Sequence, residues 1–177
     1  ADTMAHLVQD LLLLARSDDG QLGSHPIELL ASEVLQRAAA RIGSRPAPVI
    51  RWNIPPELTL RGNEQELLRL FSNLLGNAFN YTPVEGQILV TAMQEGHEVL
   101  ITVADNGIGI APEHLPHLGE RFYRVDTART RSEGGTGLGL SICRSIVEAH
   151  RGTMTIQSQV GMGTSVTVFL PSGNPQM

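Results

Sequence analysis

Asn73, Asn77 and Asn80 stand four and three residues apart in an apolar stretch, so on a helix they share one face, with Tyr81 beside them. Their neighbours Leu67, Leu70, Phe71, Leu74, Leu75 and Ala78 are apolar. Asparagine is a middling helix former and costly in a core, so such a row must be satisfied by solvent or by a ligand; a metal ion with phosphate oxygens would serve. Asp105-Asn106-Gly107-Ile108-Gly109-Ile110 follows an apolar strand. A carboxylate at a strand end can accept from an exocyclic amine, and the two glycines let backbone approach a flat ring. Alone, the pattern is equally at home in turns and calcium loops. Gly134-Gly135-Thr136-Gly137-Leu138-Gly139-Leu140 runs straight into an apolar helix. Glycines ending on a helix N-terminus offer unpaired N–H groups and the favourable dipole end to a phosphate, although a hinge would use the same residues. Gly161-Met162-Gly163-Thr164, between two closing strands, is explained first as a tight hairpin.

The elements that must position these residues follow from periodicity and breakers. Met4, Leu7, Leu11 and Leu14 recur as the a/d seam of a helix over residues 1–17, widened by Val8 and Leu12. Breakers from Gly20 to Pro26 end it, so its partner helix is expected from another chain or from sequence upstream. A short strand at Ile27, a helix near residues 31–41, and strands near 49–54 and 58–61 follow. A helix over 64–79 carries the asparagines, with Asn63 as its N-cap. Strands at 87–94 and 99–105 form a hairpin through Glu95-Gly96-His97-Glu98. Residues 106–136 are too long and too rich in glycine and proline for a mere connection and read as a functional loop. A helix at 138–149 and strands at 153–158 and 164–170 close the chain. The order is α+β, without regular βαβ alternation.

Bulk properties exclude several classes. A chain of 177 residues suits one domain plus an appendage. A net charge of −5 argues against nucleic acid as a partner. No apolar run approaches the roughly 18 residues of a membrane span, and no secretory signal is visible, so a cytoplasmic location is expected. The single Cys143 makes no internal disulfide, and the six histidines have no zinc spacing. All 13 basic residues are arginines, which excludes a lysine-dependent P-loop.

Taken in order, these segments resemble the N, G1, F, G2 and G3 boxes of the histidine kinase ATPase domain, in the superfamily shared with gyrase, Hsp90 and MutL. The resemblance covers about residues 25–171 and rests on Asn73-Leu74-Leu75-Gly76-Asn77-Ala78, Asp105–Ile110, Glu120-Arg121-Phe122-Tyr123-Arg124 and Gly135–Ile142. The Phe-Tyr-Arg segment and Gly137-Leu138-Gly139-Leu140-Ser141-Ile142 point to the kinases. Residues 1–22 look like the second helix of the dimerisation and phosphotransfer stem, and 23–177 like the catalytic domain. The resemblance implies a Bergerat-type fold, a two-layer sandwich of a mixed sheet against three helices, that binds ATP and Mg2+. Asn77 would hold the metal, Asn73 would lie near the phosphates with Asn80, Tyr81 would pack on adenine, and Asp105 would bond its amino group. Gly107, Gly109 and Ile110 would shape the base pocket, with Thr164 beside them. Residues 111–134 would form a lid with Phe122 as its apolar anchor. Arg124, Arg129 or Arg131 would meet phosphate charge, Arg124 and Asn77 being the catalytic residues. Gly135, Thr136, Gly137, Leu138, Gly139 and Leu140 would surround the phosphates.

By the same resemblance, the full protein is a homodimeric, membrane-anchored sensor that phosphorylates a stem histidine and passes the group to a response regulator receiver domain, while the fragment itself can be monomeric. Three departures stand out. Asn80 replaces a Lys or Arg common in relatives, and Asn63-Glu64-Gln65-Glu66 replaces a segment that often has Asp and Arg. No histidine fits the acceptor on the first stem helix: His6 precedes Leu7, His25 precedes Pro26, His150 precedes Arg151, and His97-Glu98 falls in a hairpin turn. Two other readings remain, an ATP-driven clamp of the gyrase or MutL type using Glu66, and a nucleotide-binding signalling module without transfer chemistry.

Overall fold

The computed structural model describes residues 2–42, 47–125 and 136–173. Its elements are α1 (Asp2–Asp18), β1 (Ile27–Leu30), α2 (Ala31–Ala39), β2 (Val49–Asn53), β3 (Thr59–Gly62), α3 (Glu64–Tyr81), β4 (Gln87–Glu95), β5 (Glu98–Asp105), a 3-10 helix (Pro112–His117), α4 (Gly139–Ala149), β6 (Thr153–Gln159) and β7 (Gly163–Pro171). The five-stranded sheet has the order β2-β4-β5-β7-β6 and is mixed, because β2 pairs parallel to β4 and the rest are antiparallel. β1 and β3 stand apart as an antiparallel pair, joined to the end of β7 by a bridge between Leu60 and Ser172.

Alternation along the strands explains the two layers. Ile88, Val90 and Ala92 on β4, Val99, Ile101 and Val103 on β5, and Val168 and Leu170 on β7 are all buried. They face the helices, while intervening residues such as Leu89 and Met93 lie on the open side. α3 is the central helix, with α2 on one flank and α4 on the other. Its Leu67, Leu68, Leu70, Phe71, Leu74 and Leu75 are buried against Val34 and Leu35 of α2 and Ile142, Ile146 and Val147 of α4, in one continuous core. Asn63 caps α3, its Oδ1 accepting from the Glu66 N–H at 3.2 Å.

α1 departs from the seam expected of it. Leu14 is buried and Leu7 and Leu13 pack on the domain core, where α1 meets α4. Met4, Val8, Leu11 and Leu12 are exposed. The expected seam therefore splits: one stripe docks on the helix's own domain and the other faces outward. Two ion pairs fasten the docked stripe, Asp10 to Arg69 of α3 and Asp18 to Arg121 at 2.6 Å. Among the described residues no helix is long and apolar enough to cross a membrane.

Candidate nucleotide site

A cavity of about 310 Å³ opens between α3, the inner end of the sheet and the N-terminus of α4, within the range of small-molecule sites. Asn73, Asn77, Asn80 and Tyr81 line it from α3, because their spacing keeps them on one face. Asn73 and Asn77 are half-buried, while Asn80 and Tyr81 are exposed at the mouth. Val103, Ile156 and Val166 from the sheet supply an apolar floor.

Asp105 ends β5 at one side of this cavity. Its Oδ1 accepts from the Gly107 N–H at 2.9 Å and from the Thr164 N–H at 3.3 Å, leaving Oδ2 without a partner among the described residues. Burial raises the Asp105 pKa above the ordinary carboxylate value, opposed by these two backbone donors. Thr164 lines the wall and its hydroxyl meets Ser158 Oγ at 2.8 Å, which in turn accepts from the Ile110 N–H at 2.8 Å. The segment expected to shape a base pocket is thus locked to the β6–β7 hairpin.

The glycines there serve the chain itself. A Cβ on Gly107 would strike the Tyr81 carbonyl oxygen, and one on Gly109, whose φ is 69°, would strike that of Gln159. Gly109 lines the cavity and Gly107 does not. The close approach their lack of side chain permits is between backbone segments, which accounts for both glycines without a ligand.

At the opposite side the chain enters α4. Thr136, Gly137, Gly139 and Leu140 line the cavity, whereas Leu138 is fully buried and its N–H donates to Thr136 Oγ1 at 3.3 Å. Asn73 Nδ2 donates to the Gly139 carbonyl at 3.3 Å, tying α3 to the start of α4. The first N–H groups of an α-helix have no intrahelical acceptor, and Gly139 and Leu140 of this first turn line the cavity.

The segment expected to form a lid begins with an unforeseen feature, the 3-10 helix Pro112–His117. Tyr123 lines the wall with its hydroxyl 2.7 Å from His114 Nδ1, and Arg124 lines it alongside. Phe122 does not serve as an apolar anchor: it is 61% exposed, has φ of 66° and lies outside the cavity lining, its N–H donating to the Gly137 carbonyl at 3.0 Å. Arg129, Arg131 and Gly135 lie outside the described residues.

Two carboxylates answer differently from their sequence reading. Glu66, the candidate for a hydrolytic base, lies outside the cavity; it is buried near His150, with Oε2 accepting from the Gly23 N–H at 2.8 Å. It secures the linker after α1, which removes the observation that favoured a clamp-type ATPase. Asp10 of α1, by contrast, lines the cavity and was not foreseen, because a lone carboxylate in an apolar helical run carries no site signature.

Comparison with known proteins agrees with this geometry. The family model of histidine kinase-, DNA gyrase B-, and HSP90-like ATPases matches residues 62–174. The sensor histidine kinase RppB of Synechocystis sp. is 39% identical over 95% of this chain and 38% of its own length. The phosphate regulon sensor protein PhoR of Pseudomonas aeruginosa is 39% identical over 97% of this chain and 40% of its own. The chain thus spans about two fifths of these relatives. Among solved structures, full-length ShkA in complex with AMPPNP superposes with a TM-score of 0.80 at 27% identity, over 97% of this chain and 36% of that one. The mycobacterial sensor histidine kinase MprB superposes with a TM-score of 0.71 at 26% identity, over 82% and 96% respectively. The cavity joins the half-buried Asp105 at the end of β5 to the first turn of α4 in the fold shared with these kinases, and the chain belongs to the family of histidine kinase-, DNA gyrase B- and HSP90-like ATPases, on its sensor-kinase side.

Proposed function

We propose that this chain holds ATP and Mg2+ and donates the γ-phosphoryl group to a histidine on the stem of its own full-length dimer, for onward transfer to the receiver domain of a response regulator. The observation that carries this reading is the single cavity bounded by Asp105 at one end and by Asn73, Asn77 and the start of α4 at the other. In this reading Asp105 Oδ2 accepts from the adenine amino group, Tyr81 covers the ring, and Ile110 and Gly109 line the base end. Gly137, Gly139 and Leu140, with Gly135, Thr136 and the amide of Leu138, surround the phosphates. Arg124, together with Arg129 and Arg131, meets phosphate charge.

A magnesium ion fits the donors present. Among the described residues no group of three or more His, Cys, Asp or Glu could hold a metal by itself. Mg2+ commonly takes one or two protein oxygens and completes its shell with phosphates and water, and the half-buried Asn77 offers one amide oxygen in the wall. When bound, it offsets charge on the transferring phosphate. The chain's own work is to orient: Asn73 and Asn77 fix the phosphate chain in line, and Arg124 stabilises the charge that develops as the anhydride P–O bond breaks and a P–N bond forms, releasing ADP.

Residues 1–22 act as the second stem helix and 23–177 as the catalytic domain. The outward stripe Met4, Val8, Leu11 and Leu12 is the face offered to the rest of the stem, in a homodimer for the full-length protein, with this fragment monomeric by itself. The full-length protein is a membrane-anchored sensor with this region on the cytoplasmic side. Of the histidines with described side chains, His25 lies exposed between α1 and β1, His97 in the β4–β5 turn, His114 and His117 on the 3-10 helix, and His150 is buried against Asn63. Incubation with γ-labelled ATP is therefore expected to leave this chain unlabelled while an added stem fragment bearing the acceptor gains acid-labile label. Acid-labile label on the isolated chain would overturn the assignment.

A further inference from the structure

We propose that Arg69 is a cation for the terminal phosphate of a nucleoside triphosphate, held in reserve by Asp10, so that a triphosphate but not a diphosphate draws Arg69 away and loosens α1. The proposal rests on the nucleotide site described above. Along α3, Tyr81 lies at the Asp105 end and Asn73 at the α4 end, so a nucleotide with its base at Asp105 runs its phosphates toward the N-terminus of α3. Arg69 stands one turn beyond Asn73 on the same face, about 6 Å along the axis, within reach of a long side chain.

The charge balance of the cavity calls for such a group. Arg124 is the single basic residue in its described lining, against Asp10, Asp105 and Glu120. Asn80 adds no charge on α3. Asp10 is the anomaly, a carboxylate only 6% exposed that lines the wall of a site for a polyanion and is paired with Arg69. Both charges act on the Cys143 thiol in the first turns of α4, beside Asn73. The pair thus lies where the phosphate chain would end. Arg69 can serve Asp10 or a phosphate oxygen, and planar bidentate pairing suits it to either. Loss of the Asp10 pair leaves α1 fastened by its apolar stripe and the exposed Asp18–Arg121 pair.

The test compares Mg2+ with ADP and with a non-hydrolysable ATP analogue by calorimetry on the whole chain, with hydrogen exchange of residues 2–18 as a second readout. Asp10→Asn, which frees Arg69, is expected to tighten the ATP analogue several-fold and leave ADP within about twofold. Adding Arg69→Gln to Asp10→Asn is expected to weaken the analogue by about tenfold relative to Asp10→Asn, the scale of one charge-assisted contact, again sparing ADP. In the unaltered chain, α1 should exchange faster with the ATP analogue than with ADP, and this difference should vanish in Asp10→Asn. Equal analogue affinity in the single and double variants, or equal change for both nucleotides, would overturn the proposal while leaving the site intact. Failure of the unaltered chain to bind either nucleotide would overturn the site and the proposal together.

Discussion

In the proposed reading Asp105 takes the adenine amino group and Asn77 the metal ion. Burial raises the Asp105 pKa above the ordinary carboxylate value, while both its backbone donors, which oppose the shift, fall on Oδ1. An asparagine at this position keeps an oxygen for those donors and removes the buried charge. Asp105→Asn is therefore expected to hold or raise Tm while abolishing selectivity for adenine nucleotides. The sign with pH follows from linkage: a carboxyl whose pKa is raised on folding binds more protons in the native state, so stability falls as pH rises through that range. Asp105→Asn should lose this slope in urea titrations at stepped pH; a variant whose Tm collapses along with its affinity would show that Asp105 is structural only. Cys143 is the second residue with a distinct expectation, since complete burial pushes its thiol up to about 12. It should resist thiol reagents at pH 8 in the native chain and react on unfolding, and rapid native labelling would contradict this core. The asparagine row and Asp105 were legible in the sequence because polar residues at fixed spacing in apolar elements stand out. Gly107 and Gly109 were visible too, but not whether their space would be filled by a ligand or by the chain's own carbonyls, which depends on contacts distant in sequence.

Among the elements, α3 carries the residues of the cavity wall and is fastened at its N-terminal end. Asn63 caps it and its Nδ2 donates to the Ser24 carbonyl at 2.9 Å, so one side chain starts the helix and fastens the linker from α1. Its own N–H donates to His150 Nε2 at 2.9 Å, joining the end of α4 to the start of α3. Asn63→Ala is expected to cost about 1 kcal/mol or somewhat more in chemical denaturation, the usual worth of a cap plus one lost linker contact. An unchanged midpoint would show that neither contact stabilises the fold. The strand and helix order was readable because alternation and 3.6-residue periodicity are local signals. The 3-10 helix was not, being short, proline-bearing and without a buried residue of its own. Nor was the splitting of the α1 seam, since a heptad pattern states that two faces are apolar without stating which one meets its own domain.

For the whole molecule, the cavity wall is shared between the sheet-and-helix domain and α1, which contributes Asp10 to it. Asp10 and Asp18 touch the domain at the cavity wall and at Arg121, next to Phe122 and Tyr123. A change that moves Asp10 therefore alters the cavity wall, and under the proposed function its effect on nucleotide binding is reciprocated by the nucleotide's effect on α1. The family match and the cavity lead to one central claim, that this chain binds ATP with magnesium through Asn77. Calorimetry with a non-hydrolysable ATP analogue, with and without Mg2+, is the decisive measurement: binding is expected to be stoichiometric and strengthened by Mg2+ in the unaltered chain and indifferent to Mg2+ in Asn77→Ala. Absence of binding, or a magnesium dependence that survives Asn77→Ala, would contradict it.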